Sequence, residues 1–579
     1  MAKSSIAFQV SFSEPQAHYA DIKMSVSNFN QDYIDVKMPV WTPGSYLIRE
    51  YAKNLESFCA SDTDDKPLTF EKLSKNTWRI FAGKKDIHVY YRVYCFEVSV
   101  RTNFVDDTHA FIVPAATFFY IDGHLDHDSE VTLIPYQKWN KISTGLAAVP
   151  DKTNTYYAPD FDILFDSPIE VGNQDIWHFE AADIPHEFAM VGGGNYDKDR
   201  LSQDLKLIIE EETRIWGTNP NDRYVFITHN YYSGGGGLEH LNSTVLGATR
   251  NGYNQETIYK NFLSLAAHEY FHLWNVKRLR PKALGPFDYE AENYTTGLWI
   301  MEGFTAYYDN HIIRRCGFTS EDEYLQLLAA EFNTVYNRPG YELQSVGMSS
   351  FDTWIKQYRP DENSINTSIS YYNKGAMLAC ALDISIIAHS NGKQSLDDVI
   401  RAAYQRFYVE KGRGFEEEEF RTLTKEVTGQ KFQEIFEAVY AHEELDYNRY
   451  FNLVGYEMLD TLADTQTHSL GIVLSKNDQR VMITHVERGS TGWAGGLSVK
   501  DELIAINGVR LDPAGRELEY ALNSGNAGDT LTILVARDGL MRELEIMIGI
   551  SNKKSLKISP LPAATAAQKQ LAQYWLNSR

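Results

Sequence analysis

The sequence predicts a multidomain α+β protein, with an all-β domain first, a mostly helical domain second and a small β domain towards the end. Three observations predict it. Up to about residue 190, apolar and polar residues alternate, as at Ile22, Met24 and Val26 and again at Ile87, Val89, Tyr91 and Val93, so each strand turns one face to a core. From Leu201 onward apolar residues recur at helical spacing instead. From about 465 to 550 short strands return around Gly-rich turns, and an Ala-, Gln- and Leu-rich segment, Ala563 to Ser578, reads as a final helix. The expected divisions are 1–190, 191–455, 460–550 and a 551–579 tail, in keeping with 579 residues and domains of about 100–200.

In the first domain, WTPGSYLIREY (Trp41 to Tyr51) carries a Pro-Gly turn. HLDHD, His124 to Asp128, could pass for a metal cluster but reads better as a polar hairpin tip, because no apolar scaffold flanks it to fix ligand geometry. The pattern changes after Gly192 to Gly194. Leu201, Leu205, Ile208, Ile209, Ile215 and Trp216 predict a helix capped by Gly217, and YVFITHN predicts a strand over Tyr224 to Asn230. Beyond about 255 the chain reads as helical, with capping signals at Ser320 with Glu323 and at Ser395 with Asp398.

Composition narrows the function classes. With 43% hydrophobic and 23% charged residues the chain is globular rather than disordered or fibrous. Asp and Glu number 78 against 55 Lys and Arg, a formal charge of −23 that repels phosphate backbones, so nucleic acid is not an expected partner. Cys59, Cys95, Cys316 and Cys380 are scattered and read as free thiols. No stretch of about 18 apolar residues suggests a membrane span, and MAKSSIAFQVSFSEP lacks the apolar run of a signal peptide. A cytoplasmic protein is expected, or a periplasmic one if a signal peptide has been removed. Nothing in composition or spacing sets an oligomeric state.

The string that carries chemistry is HEYFH, His268 to His272. Its i to i+4 spacing puts two imidazoles on one helix face, one turn apart, where both can grip one ion. Ile258, Phe262 and Leu265 form an apolar stripe running into His268, Glu269 and His272, so the ligands are expected to project from a buried, rigid face. A pattern this short arises by chance in a chain of this size on the order of 1% of the time. A catalytic zinc needs three protein ligands and an open fourth position for water. The third candidate is Glu302, in LWIMEGFTAYY on a helix expected to open at Thr295. Glu269 neighbours the first ligand without being needed as one, so it can take the proton of the attacking water and pass it to the leaving amine. In NVKRLRP, Lys277, Arg278 and Arg280 could bind a carboxylate, but ion pairs near the helix end are favoured.

These residues resemble the thermolysin-like zinc peptidases whose third ligand is a glutamate, and EGFTAYY is similar to the aminopeptidase N superfamily in particular. YYSGGGGLEHLNSTV, Tyr231 to Val245, resembles that superfamily's exopeptidase motif. The resemblance implies that Gly236 and Gly237 bind substrate and that Glu239 binds its free amine, although His240 stands where asparagine is usual. Consecutive glycines let a substrate backbone approach closely, and a glutamate offers charge to an α-ammonium. SYYNKGAML, Ser370 to Leu378, resembles the superfamily's tyrosine motif, which implies Tyr372 as donor to the tetrahedral oxyanion.

HSLGIVL, followed by VERGSTGWAGGLSVKDELIAINGVRL, resembles a PDZ domain. That implies a carboxylate loop of Leu470, Gly471 and Ile472, and a groove helix starting near Ala514 to Glu517, to receive a C-terminal peptide. Together a β-rich first domain, a thermolysin-like second domain and a PDZ domain resemble the glycyl aminopeptidase family over nearly the full chain. The resemblance implies an enzyme with one Zn2+ per chain that removes N-terminal residues from peptides with a free N-terminus, preferring small ones such as Gly or Ala. Two other readings stand beside it: a zinc endopeptidase or oligopeptidase in which Glu239 is structural, and a non-catalytic scaffold that works through the PDZ groove.

Overall fold

The computed structural model describes residues 3–442, 444–477 and 480–577. In the first domain the alternating segments form a seven-stranded sheet in which Ser5–Ser11 and Tyr19–Ser27 are central neighbours, paired as Phe8 with Met24 and Val10 with Ile22. Two four-stranded sheets complete this domain; one contains Ala110–Ile112 paired to Ile169–Gly172. Their inward residues make one apolar core.

A five-stranded mixed sheet follows, ordered Asp175–Ala181, Ile184–Val191, Tyr224–Tyr231, Ser243–Thr249, Gly237–Glu239. Ile184–Val191 runs parallel to Tyr224–Tyr231, so the second domain's sheet begins at Asp175 rather than at 191. Both faces of Tyr224–Tyr231 are buried, which is why it reads as a continuous apolar run. Val225 and Ile227 join the core of the first domain, while Tyr224 and Phe226 join that of the helices.

The expected helix after Gly194 runs Lys198–Trp216, ending at Gly217 with φ of 87°. Three later helices matter most: the histidine helix Glu256–Phe271, the carboxylate helix Leu298–Arg315 and the tyrosine helix Tyr371–His389. The tyrosine helix is buried along almost its whole length and crosses the carboxylate helix at Gly303 and Gly375. A Cβ on Gly303 would stand 2.5 Å from the Gly375 Cα, so the backbones touch and only glycine fits. The carboxylate helix opens at Leu298 with Gly297 as its cap; Thr295 lies just outside and accepts the Gly297 N–H. On the histidine helix the core face is Tyr259, Phe262, Leu263, Ala266 and Tyr270, and the expected stripe residues Ile258 and Leu265 instead line a groove beside Gly234–Gly236.

Near the end a six-stranded sheet with the helix Arg516–Ser524 encloses a small separate core. This unit is an insertion, because Tyr456–Asp460 before it pairs with Leu556–Pro560 after it. The tail then returns to the main helical core. Its helix Ala566–Leu576 buries Trp575, whose Nε1–H donates to the Tyr307 hydroxyl at 2.9 Å. Ser578, where that helix was expected to end, lies outside the described residues. Among the described residues no helix is long and apolar enough to cross a membrane, and all four cysteines are free.

Candidate active site

His268 and His272 stand one turn apart at the end of the histidine helix, with His272 still in right-handed helical geometry as its cap. Their Nε2 atoms are 3.2 Å apart. Glu302 Oε2, from the carboxylate helix, lies 3.2 Å from His272 Nε2 and 3.7 Å from His268 Nε2. Residues 273–301 separate the two parts of this set in sequence, yet the packing of the two helices closes it.

The outer partners orient the rings. His272 Nδ1 donates to the Asn275 carbonyl at 2.8 Å, and His268 Nδ1 meets Asp309 Oδ2 at 3.1 Å. With Nδ1 committed in each ring, Nε2 presents a lone pair to the space shared with Glu302. Asn275 also fixes the third donor, since its amide donates to the carbonyls of Ile300 and Met301 and to Thr305 Oγ1. Val276 follows with φ of 101°, a strained conformation for a β-branched residue. Burial alone would raise the Glu302 carboxyl, but His272 and His268 hold it down to about 2. Two imidazoles and a carboxylate converging from one side are a donor set that fits zinc with an open position, the rings giving up their Nε2 protons when an ion binds.

Glu269 is buried beside this set. Burial pushes its carboxyl up to about 7 against the pull of His268, and Glu239 adds to the push. Its Oε2 has no hydrogen-bond partner among the described residues. A Cβ on Gly237 would lie 2.3 Å from Glu269 Oε1, so the missing side chain of Gly237 makes room for this carboxylate rather than for a ligand. Gly236, with φ of 90°, keeps the strand edge on course, its carbonyl accepting the Gly247 N–H.

Glu239 ends the same short strand. It is 4% exposed, its Oε1 has no partner among the described residues, and its carboxylate lies within 4.8 Å of the donor atoms of Glu269 and His272. The first domain closes over it: a Cβ on Gly44, in the Pro-Gly turn, would come within 2.5 Å of Glu239 Oε1. His240 points elsewhere, to Asp166 at 3.0 Å, and Lys277 joins the same buried carboxylate at 2.6 Å. Arg278 donates to the carbonyls of Leu241 and Leu273 and to Asn221, and Arg280 stacks on Phe287, so the basic cluster is spent on structure.

The two adjacent tyrosines separate by role. Tyr371 is fully buried with its hydroxyl on Thr353 Oγ1 at 3.0 Å, whereas Tyr372 is half-buried and its ring stacks 6.4 Å from that of His268. Burial and the Glu302 carboxylate push the Tyr372 phenol well above its ordinary range, keeping it a neutral donor. Three more contributors have no signal in the sequence. Arg101 reaches in from the first domain to donate to the Gly237 carbonyl at 3.0 Å, Tyr358 donates to the Gly44 carbonyl at 3.2 Å, and Asn275 links the two metal-side helices. Asp309 could have been found, since it lies two turns beyond Glu302 on the same helix face.

The expected PDZ loop is less open. Leu470 is buried, and the Gly471 N–H donates to Ser469 Oγ at 2.9 Å, while Ile472 begins the edge strand of the sheet.

Comparison with known proteins agrees with this geometry. The family model for the peptidase M61 N-terminal domain matches residues 7–173, that for M61 glycyl aminopeptidase matches 261–378, and a PDZ domain model matches 468–548. The crystal structure of an aminopeptidase N family protein from Idiomarina loihiensis superposes with a TM-score of 0.91 at 28% identity, covering 99% of this chain and 100% of that one. An M1 zinc metallopeptidase from Deinococcus radiodurans is more remote, with a TM-score of 0.48 at 11% identity over 77% of this chain and 96% of its own. No curated protein sequence matches. Fold and matches together define a metallopeptidase. Within that class the chain carries segments that match the M61 N-terminal and M61 glycyl aminopeptidase models, with a PDZ domain inserted before its last strand and helix.

Proposed function

We propose that this chain is a zinc-dependent aminopeptidase that releases one N-terminal residue at a time from peptides, with small residues such as Gly or Ala favoured. The observation that carries the reading is Glu239: a buried carboxylate with an unsatisfied oxygen, within 4.8 Å of Glu269 and His272. A buried acceptor of this kind favours a charged donor, and an α-ammonium so placed brings only the first peptide bond to the metal.

His268, His272 and Glu302 would hold the zinc, one ion per chain at this site. When bound, zinc supplies a polarised substrate carbonyl and a water whose pKa is lowered to about 7. Glu269 would take a proton from the attacking water and return it to the leaving amine; its position beside the ligands and its raised pKa suit both transfers. Tyr372 donates to the developing oxyanion. Gly236 and Gly237 keep the strand edge beside Glu269 free of side chains, so a substrate backbone would pass close to it, and Gly44, Tyr358 and Arg101 crowd the amine end, which supports a preference for small first residues. The PDZ edge strand Ile472–Asn477 would receive an extended C-terminal peptide as a further strand, with Leu470, Gly471 and Ile472 at its carboxylate.

The test uses alanyl and glycyl dipeptides with free or acetylated amines. The expected outcome is cleavage of the free forms alone, abolished by chelator and restored by zinc, with Glu239→Gln lowering kcat/KM about 10- to 100-fold. Equal cleavage of acetylated peptides would assign the chain to the endopeptidases instead.

A further inference from the structure

A second set of metal-type donors lies outside the catalytic site. His109 precedes the strand Ala110–Ile112, Glu170 stands on the strand paired with it, and His229 belongs to Tyr224–Tyr231 of the mixed sheet. His109 Nδ1 is 2.8 Å from Glu170 Oε1, His229 Nε2 is 2.9 Å from Glu170 Oε2, and one donor atom from each residue lies within 4.8 Å of the others. His109 and His229 line a cavity of about 740 Å³ that none of His268, His272 and Glu302 lines.

Local structure holds the donors. Asp106 Oδ1 accepts from the backbone N–H groups of Thr108 and His109, which fixes the turn carrying His109. Gly172 leaves room for that ring, since a Cβ there would come 2.9 Å from the His109 Cβ.

Two observations point to a cation. Glu170 is fully buried, and among the described residues its ionic partners are His109 and His229, with no Lys or Arg paired to it. Both oxygens of Glu170 face imidazole nitrogens rather than a fixed positive charge, an arrangement of donors that a divalent ion could bridge. Further, Gln174 Oε1 and His229 Nδ1 line the same cavity, buried and without partners among the described residues, as groups that an ion's water ligands would satisfy.

We propose that His109, Glu170 and His229 bind a second divalent transition-metal ion of the zinc type, which clips the first domain to the mixed sheet. The donor set repeats that of the catalytic site, two imidazoles and one carboxylate. Its place is structural, because His229 lies on the strand that leads into the Gly-rich segment bearing Gly237 and Glu239.

The experiment is metal counting on the full chain, saturated with zinc, desalted and analysed by mass spectrometry. Wild type is expected to hold two ions, and His268→Ala/His272→Ala to hold one. Adding Glu170→Gln or His109→Asn to that pair should remove the remaining ion. Thermal melting gives a second readout: zinc should raise the midpoint of His268→Ala/His272→Ala, and not of the same chain with Glu170→Gln. One ion in wild type, or none in His268→Ala/His272→Ala, overturns the proposal, and so does an ion retained after Glu170→Gln. Should the Glu170 and His109 variants fail to fold, the wild-type and His268→Ala/His272→Ala counts still decide it. Failure here leaves the catalytic reading intact, since that is tested by its own histidines.

Discussion

The two His-His-Glu clusters are chemically alike and mechanically different. In the helix-borne cluster, His268 and His272 share one helix, and Glu302 comes from a second helix locked to the first by Asn275 and to a third at Gly303. All of those elements belong to one core. In the strand-borne cluster, His109 and Glu170 come from the first domain and His229 from a strand of the second whose Val225 and Ile227 enter the first domain's core, so its geometry depends on how strands from two domains meet over that core. A site built on helices of one domain is fixed by the same packing that folds the domain; a site shared by strands of two domains is only as rigid as the contact between them.

That difference can be tested from its strongest consequence downward. His272→Ala should cost more than about 10⁴-fold in activity and remove the catalytic ion, because the electrophile and the activated water are lost together; aminoacyl-anilide hydrolysis and metal analysis check it. Glu269→Gln should lower kcat by about 10²- to 10⁴-fold while the ion stays bound, which separates proton transfer from metal binding. Asn275→Ala removes the brace between the two helices. It should weaken metal affinity about 10- to 100-fold, read by competition with a chelating dye, and cost about 1–3 kcal/mol in chemical denaturation. Smallest in activity terms, urea below the main unfolding transition should release the strand-borne ion first, followed with a metal indicator. Release of the catalytic ion first would break the comparison, since it would make the contact between the two domains' strands the stiffer of the two.

Much of the helix-borne site was legible in the sequence because helical spacing is a local code. HEYFH states in five letters that two imidazoles share a face, the need for a third ligand pointed to Glu302, and the family resemblance supplied Glu239 and Tyr372. The physical ground for Tyr372 over Tyr371 appeared only with packing, which buries Tyr371 against Thr353. The strand-borne cluster had no such code. Its donors are 61 and 59 residues apart, and strand pairing across domains carries no fixed spacing. Arg101 and Gly44 were hidden for the same reason, as both reach the site across the domain boundary.

The sequence by itself determined the order of β-rich, helical and PDZ-like parts, the histidine pair on one helix face and the excess of negative charge, because period and composition are written residue by residue. Tertiary structure alone decided that Asp175–Val191 joins the second sheet, that the tail re-enters the helical core through Trp575, and that Gly237 is shaped around Glu269 rather than around a ligand. Each of these is a contact between segments remote in the chain. Such contacts are fixed by which surfaces exclude water together, a property no local window of sequence contains.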